Sequence, residues 1–327
     1  MESTEISIVI PSFGGAATVS RATTSALSQA GGRVRAIFVI DDDCGHTRRI
    51  LESLDDARIG IVSNQRPLGA PASRNVGLGL VDTPFVTFLD VDDFYEGDFL
   101  APLFRTMAEQ SSDIGFGPSV SYSPRFSFER YRIPNYRNQE DVFVKWLGRR
   151  INVNTAAVVW RTDYIRSIGG WDEKLQRNQD GEIALRSMLL GAGFAQSREG
   201  AGVWFDDRSI NRITTRTDNL DSLLYIVDKF LEMSSPVVPD PARITACARY
   251  CLVIAHLAFS NGQDEVGARA LEKRRSLGFA DYSGDWRFVA SAATRLIPKE
   301  PRLAFWSALR KSRDSVKAFR SKARRSR

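Results

Sequence analysis

The sequence is poor in the residues that build metal centres and disulfide frameworks. Its 327 residues include three cysteines and two histidines. The cysteines, Cys44, Cys247 and Cys251, are odd in number and form no Cys-x-x-Cys pair. This argues against a structural zinc site and favours a reducing compartment. Cys247 and Cys251 stand four residues apart on a predicted helix, where we interpret them as small buried hydrophobic residues.

Long apolar runs are also lacking. The longest apolar tract, residues 244–259, is interrupted by Arg249 and His256 and is shorter than a bilayer span. The first five residues contain no Lys or Arg, and a short strand pattern follows them. We therefore expect neither a transmembrane helix nor a secretory signal, and we expect a cytoplasmic protein.

Basic charge is scarce outside the C-terminal tail. Residues 299–327 contain 11 Lys or Arg and two Asp or Glu, a net charge of +9, whereas the whole chain carries +6. Residues 1–298 are therefore net acidic, at −3. A nucleic-acid-binding protein more often spreads basic residues over its folded face, so no nucleic-acid partner is expected.

The tail also has a hydrophobic pattern of its own. On a helix that turns about 100° per residue, its apolar residues fall on one face and several basic residues fall outside that face. The apolar residues are Phe305, Leu309, Val316 and Phe319. This pattern is typical of an interfacial helix attracted to anionic lipid, and a solubilising extension is the alternative. We expect peripheral docking at the inner face of the plasma membrane.

The first half of the chain alternates between strand and helix patterns. Apolar, β-branched runs predict strands at residues 6–10, 34–40, 58–62 and 85–89. Amphipathic spacing predicts helices at residues 18–29, 47–54 and 71–80. A strand at 154–160 and a helix at 180–190 are predicted farther on. Repeated units of this kind predict an α/β fold with an open, mostly parallel, Rossmann-like sheet and helices on both faces.

Strand patterns stop after Thr217. Helical spacing predicts amphipathic helices at residues 220–233, 241–260 and 264–277. We therefore divide the chain into an α/β domain at 1–216, a helical appendage at 217–298 and a basic amphipathic tail at 299–327.

Acidic residues cluster where the predicted strands end. Asp90, Asp92 and Asp93 follow the strand at 85–89, and Asp41 follows the strand at 34–40. Open parallel sheets bind ligands beyond the carboxyl ends of their strands, so these carboxylates are expected to converge on one crevice. Oxygen ligands suit a hard divalent cation. Helix capping and solvated turns are the alternative interpretation of such acids.

The segment at residues 119–140 is rich in aromatic and arginine residues. Its aromatic residues are Tyr122, Phe126, Phe128, Tyr131 and Tyr136. An irregular surface segment is one interpretation of this composition. The other is a set of aromatic faces that stack on the rings of a bound ligand.

The order of the motifs resembles that of the family 2 glycosyltransferases, which have the GT-A fold. The motifs are Ile10-Pro11-Ser12-Phe13, Asp41-Asp42-Asp43, Ser73-Arg74-Asn75, Asp90-Val91-Asp92-Asp93, Gly169-Gly170-Trp171-Asp172-Glu173 and Asn178-Gln179-Asp180-Gly181-Glu182. The resemblance covers residues 5–215 and implies transfer of a sugar from a nucleotide diphosphate donor with inversion. Bacterial exopolysaccharide enzymes, including those of the succinoglycan type, are similar in size and motif order. The similarity to these enzymes implies a UDP-sugar donor and a saccharide or lipid-linked acceptor, whose sugar rings are the ligand that the aromatic residues of 119–140 would stack on.

The same resemblance implies a role for each motif residue. Asp92 is the implied ligand of Mg²⁺ or Mn²⁺, and Asp180 is the implied base for the acceptor hydroxyl. Contacts with the nucleotide sugar are implied for Pro11, Asp41, Arg74, Asp90 and Trp171. Asp93 is assigned a supporting or capping role, and Glu182 is the alternative base. For Trp171, we expect packing first and a sugar platform second.

Three departures from the family pattern keep other functions open. Gln179 stands where a Glu usually precedes the base, Asp206 stands where many relatives carry His, and Phe13-Gly14-Gly15 replaces an aromatic–Asn pair. A non-catalytic nucleotide-sugar-binding scaffold is one alternative. A nucleotidyltransferase is the other, although it normally has a basic phosphate loop after the first strand, and residues 11–17 contain no Lys or Arg.

Overall fold

The structure, a computed structural model, describes residues 5–42, 45–123, 128–147, 154–205, 219–233 and 240–280. Contacts between Cα atoms divide the chain into two compact units, Met1–Arg216 and Thr217–Arg327. The first unit mixes strands and helices, and the described part of the second is helical. The tail predicted at 299–327 and the segment that contains Asp206 lie outside the described residues.

The strands are β1 Ile6–Ser12, β2 Val34–Ile40, β3 Ile59–Ser63, β4 Phe85–Phe88, β5 Phe94–Glu96, β6 Ile114–Phe116, β7 Ser119–Ser123, β8 Phe128–Arg132, β9 Val158–Arg161, β10 Phe194–Gln196 and β11 Ala201–Phe205. The helices are α1 Val19–Leu27, α2 His46–Ser53, α3 Ala70–Gly79, α4 Leu100–Glu109, α5 Gln139–Leu147, α6 Thr162–Ser167, α7 Gln179–Leu189, α8 Asp221–Met233, α9 Pro241–Ser260 and α10 Asp264–Ser276. The strands and helices predicted between residues 6 and 277 all occur, with ends that differ by up to four residues.

The main sheet has seven strands in the order β10-β6-β9-β4-β1-β2-β3. Strand β9 is antiparallel to its neighbours β4 and β6. The remaining pairs are parallel, so the predicted open, mostly parallel sheet is confirmed. All seven residues of β1 are buried. Because successive side chains of a strand point to opposite faces, this burial means that both faces of the sheet are covered at its centre.

A second sheet has four short strands in the order β5-β11-β7-β8. Strand β11 is antiparallel to β5 and parallel to β7. Buried Val120, Ala201 and Val203 form a small core on this sheet, with Phe94 packed against it. The sequence did not predict this sheet. Since β7 and β8 lie within residues 119–140, the interpretation of that segment as irregular is wrong for those strands.

The second unit is described through α8, α9 and α10. Helix α9 packs against both of the others. Its N-terminus is capped by Asp240, whose carboxylate accepts the Ala242 N–H at 2.8 Å. Cys247 and Cys251 are buried on α9, as expected, and burial raises the pKa of each thiol to about 12. Both thiols are therefore protonated at neutral pH and poorly nucleophilic.

Helix α9 has the bounds predicted from the sequence and extends beyond the apolar tract at residues 244–259. In the described part of the chain it is the one helix long and apolar enough to cross a membrane by length and composition. Of its most apolar 18-residue stretch, 56% is buried within the protein. The buried core helix of a helical domain has the same length and apolar composition.

A close approach between α3 and the main sheet makes Gly77 a test of this packing. A Cβ atom at Gly77 would lie 2.3 Å from Cγ1 of Val9 and 3.1 Å from Cγ2 of Val39. We predict that Gly77→Ala lowers the free energy of unfolding by about 1–3 kcal/mol, because the sheet side chains must shift. Chemical denaturation measures the change. Gly79→Ala, at the end of the same helix, is the matched control, since a Cβ there meets nothing within 4 Å. Equal destabilisation by the two variants would contradict this packing.

Candidate active site

The motif residues meet at the carboxyl ends of the central strands. Pro11 is buried near the end of β1, opposite Val39 of β2. Asp41 directly follows β2, and the acidic cluster begins two residues after β4. Since β4, β1 and β2 are parallel neighbours, the residues that follow them share one edge of the sheet.

Asp41 holds the loop that leads into α3. Its carboxylate accepts the backbone N–H groups of Leu68 and Gly69, both at 2.8 Å. It also accepts the side-chain amide of Asn64 at 2.7 Å. Asp41 is only 5% exposed, and these bonds take three of the roughly four acceptor positions of a carboxylate. The loop is therefore fixed in place, and the nucleobase contact assigned to Asp41 stays a prediction.

The acidic cluster consists of Asp90, Asp92 and Asp93. One carboxylate oxygen of each lies within 4.8 Å of the others. Asp93 is 1% exposed, and its Oδ1 accepts the Phe205 N–H at 3.0 Å, which ties the cluster to β11. Asp90 and Asp92 are partly exposed. This oxygen-only set fits the Mg²⁺ or Mn²⁺ expected from the sequence, with Asp92 as the main candidate ligand and Asp93 in the supporting role.

Arg74 links the acidic cluster to the start of α7. Its Nη2 donates to Oδ1 of Asp90 at 2.5 Å, and its Nη1 donates to Oε1 of Gln179 at 2.8 Å. The guanidinium carbon lies 4.5 Å from the ring centroid of Trp171. Arg74 is 4% exposed, so this cation is held by its partners rather than by water. The bridge brings helix α7 beside the carboxylates.

Asp180 stands in the first turn of α7, next to Gln179. Burial raises the pKa of the Asp180 carboxyl, and the charge of Asp90 raises it further. The Gly181 N–H and the charge of Arg74 act in the opposite direction but do not cancel the increase. Asp180 therefore holds a proton more strongly than an ordinary aspartate does, which suits a general base.

Trp171 is a packing residue in this structure. It is 3% exposed, and its ring meets Phe88 edge-on, with 5.0 Å between centroids and 81° between planes. Its loop is fixed by Asn75, which donates to the Trp171 carbonyl and accepts the Trp171 N–H, both at 2.9 Å. Of the two roles predicted for Trp171, packing and a sugar platform, this geometry supports packing.

Glu182, the alternative base, is fully buried in an ion pair. Its Oε1 and Oε2 accept Nε and Nη2 of Arg186 at 2.7 and 3.2 Å. Arg186 also donates to the carbonyls of Ile168 and Gly170, at 2.5 and 2.6 Å. The pair therefore fixes the loop that carries Trp171, and this geometry supports a structural role for Glu182.

Arg21 contacts the acidic cluster and was missed by the sequence analysis. Its Nη2 donates to the carbonyl oxygen of Asp92 at 2.6 Å. Its guanidinium carbon lies 4.0 Å from the ring centroid of Phe205 and 4.9 Å from that of Phe94. On the sequence, Arg21 is one polar residue of an amphipathic helix, and nothing in its spacing points to the cluster.

Comparison with known proteins shows which family this chain resembles. The family model described as glycosyl transferase family 2 matches residues 7–166. Succinoglycan biosynthesis protein ExoO of Rhizobium meliloti is 29% identical over 243 residues, which are 69% of this chain and 68% of that protein. UDP-Glc:alpha-D-GlcNAc-diphosphoundecaprenol beta-1,3-glucosyltransferase WfgD of Escherichia coli is 28% identical over 112 residues, 34% of this chain and 44% of that protein.

Solved structures share the fold at low sequence identity. S. aureus TarS in complex with UDP-GlcNAc superposes with a TM-score of 0.60 and 13% identity, covering 89% of this chain and 91% of that chain. The mannosyltransferase PcManGT from Pyrobaculum calidifontis, in complex with GDP-Man and Mn2+, has a TM-score of 0.57 and 13% identity, covering 94% and 85%. The predicted GT-A fold is therefore confirmed.

The Glu182–Arg186 pair gives a stability test of the structural role. We predict that Glu182→Gln lowers the free energy of unfolding by about 3 kcal/mol, because a buried guanidinium loses its carboxylate partner. Glu52→Gln on α2 is the matched control, since it breaks a largely exposed Arg48–Glu52 pair at the same spacing. That change is expected to cost at most about 0.5 kcal/mol. Equal losses in urea denaturation would contradict the structural role.

Proposed function

We propose that this chain, whose residues 7–166 match the model of glycosyl transferase family 2, is an inverting enzyme that uses a nucleotide diphosphate sugar. The proposed donor is a UDP-sugar. The proposed acceptor is a saccharide or a lipid-linked saccharide in cell-surface or exopolysaccharide synthesis. Support for these choices comes from the UDP-GlcNAc bound to S. aureus TarS and from the lipid-linked acceptor in the name of the E. coli relative.

The observation that carries the proposal is the bridge made by Arg74. Through Asp90 it reaches the candidate metal-binding cluster, and through Gln179 it reaches the residue before the candidate base. A transferase needs the residues that stabilise its leaving group and the base that activates its acceptor in one place. Here a single buried side chain connects the two sets of residues.

The donor half of the site uses the residues that follow β2 and β4. The proposal assigns the nucleobase to the loop fixed by Asp41, the ribose to Asp90, and the cation to Asp92. Bound Mg²⁺ or Mn²⁺ supplies charge neutralisation on the departing diphosphate. Arg74 keeps Asp90 in place, Arg21 holds the Asp92 carbonyl, and the Asp93 carboxylate ties the cluster to β11.

The acceptor half of the site depends on Asp180. Inversion requires the acceptor oxygen to attack the anomeric carbon from the side opposite the leaving diphosphate. Asp180, as a carboxylate, takes the proton of the acceptor hydroxyl as the new bond forms. Because burial raises the pKa of Asp180, activity is lost as the pH falls, starting at a higher pH than for an ordinary aspartate.

The proposed metal ligand is tested by binding measurements. We predict that Asp92→Asn abolishes the Mn²⁺-dependent part of UDP binding in calorimetry, because an amide keeps the shape of the side chain but loses its charge. Asp82→Asn is the control, since Asp82 is a 69% exposed partner of Arg35. Unchanged affinity in the Asp92 variant would remove this residue from the cation site.

The proposed base is tested by turnover. We predict that Asp180→Asn slows transfer by about 10²–10⁴-fold, the usual contribution of a positioned base, and leaves UDP binding nearly intact. A screen of nucleotide sugars for released nucleotide diphosphate identifies the donor and provides the assay. Wild-type turnover in the Asp180 variant would refute the assignment, and a wild-type protein that turns over no donor would favour the scaffold alternative.

We also propose that residues 299–327 dock the enzyme on the cytoplasmic face of an anionic membrane, where a lipid-linked acceptor is concentrated. The support is the tail's charge of +9 and its phased apolar residues. Basic residues near such a surface contribute about 1 kcal/mol each, less at high salt. Deleting the tail is predicted to release the protein from anionic vesicles in co-sedimentation at low salt. If both forms co-sediment equally, the tail is only a solubilising extension.

A further inference from the structure

We propose that Tyr122, Phe205 and Phe94 form a platform on which a sugar ring of the acceptor stacks. We call these three residues the aromatic row. The inference rests on the proposed function, since it names the acceptor side of the same site. Nothing in the motif pattern assigns a role to Phe205 or Phe94.

The aromatic row crosses three adjacent strands of the second sheet. Phe205 of β11 stands directly opposite Tyr122 of β7, and Phe94 of β5 stands opposite Val203, two residues before Phe205. Facing residues and residues two apart lie on the same side of a sheet, so the three rings share one face. Ring centroids are 5.7 Å apart for Tyr122 and Phe205, and 6.2 Å apart for Phe94 and Phe205.

The aromatic row is attached to the acidic cluster at two points. The backbone N–H of Phe205 donates to Asp93, and the guanidinium of Arg21 joins the Asp92 carbonyl to the ring of Phe205. The row therefore begins at the carboxylates and extends away from them across the second sheet. The loop fixed by Asp41 follows β2 and β3, on the other side of β1 from β4. The nucleotide and the aromatic row are thus assigned to different sides of the cluster.

The chemistry of the aromatic row suits a carbohydrate. Tyr122 is 39% exposed, whereas Val120 and Val203, on the same face of the sheet beside the row, are each 1% exposed, so an accessible ring stands at the edge of a closely packed core. A flat aromatic face accommodates the apolar C–H face of a pyranose, and a tyrosine hydroxyl adds a hydrogen-bonding group at the rim. Arg21 is a positioning residue, because its guanidinium holds the rings of Phe205 and Phe94 beside the cluster.

The test is saccharide binding measured by saturation-transfer NMR on the full chain with UDP and Mn²⁺ present. The probes are cellobiose, laminaribiose and methyl α-N-acetylglucosaminide. Tyr122→Ala is expected to weaken binding about tenfold, because the stacking face is lost, and Tyr122→Phe is expected to stay within about threefold of the wild type. Tyr225→Ala on α8 is the matched control, since this tyrosine is 36% exposed and lies in the other unit.

Three results would overturn the proposal. The first is the absence of binding by every probe to the wild-type protein. The second is equal binding by the Tyr122→Ala and Tyr225→Ala variants. The third is a loss of UDP affinity in Tyr122→Ala with saccharide binding unchanged, which would assign the ring to the nucleobase. The donor screen described above is independent of these results, because a protein that turns over no donor still reports saccharide binding in the NMR measurement.

Discussion

Arg74 is the constraint on which the candidate active site depends. A guanidinium that is 4% exposed must be matched by nearby acceptors, because the protein interior does not solvate its charge. Its partners are the carboxylate of Asp90 on the donor side, the amide oxygen of Gln179 at the start of α7, and the ring face of Trp171. Asp90 belongs to one segment of the sequence, and Trp171 and Gln179 belong to another that is far from it. The hydrogen bonds and the ring contact of this one buried cation therefore bring the residues of the site together.

The residues around this cation have structural and chemical roles at the same time. Glu182 and Arg186 hold the loop that presents Trp171, and Asn75 holds the other side of that loop. Asp93 and Arg21 connect the acidic cluster to the second sheet, where we place the acceptor. Gln179 differs in one respect from the Glu expected at its position. It accepts a hydrogen bond from Arg74 without adding a negative charge beside Asp180, whose pKa is already raised by burial and by Asp90.

Much of the first unit could be predicted because its elements are regular. Strands β1, β2 and β4 are mostly apolar runs, and the acids that follow β2 and β4 lie at the predicted edge. The second sheet could not be predicted, since β5 has three residues and pairs with β11, more than 100 residues away. Glu182 looked like a possible base because its i,i+4 partner Arg186 gives no sign of burial in the sequence. Arg21 was missed because its target is a backbone carbonyl, which no side-chain motif records.

The most direct test of the Arg74 bridge is the pH dependence of donor hydrolysis in the wild type and in Gln179→Glu. A carboxylate at this position pairs with Arg74 and places a second negative charge beside Asp180, which raises the pKa of Asp180 further. The account predicts that the loss of activity at low pH begins at a higher pH in the variant than in the wild type. Superimposable pH profiles, with both proteins folded and binding UDP, would contradict the electrostatic connection between Arg74 and the base.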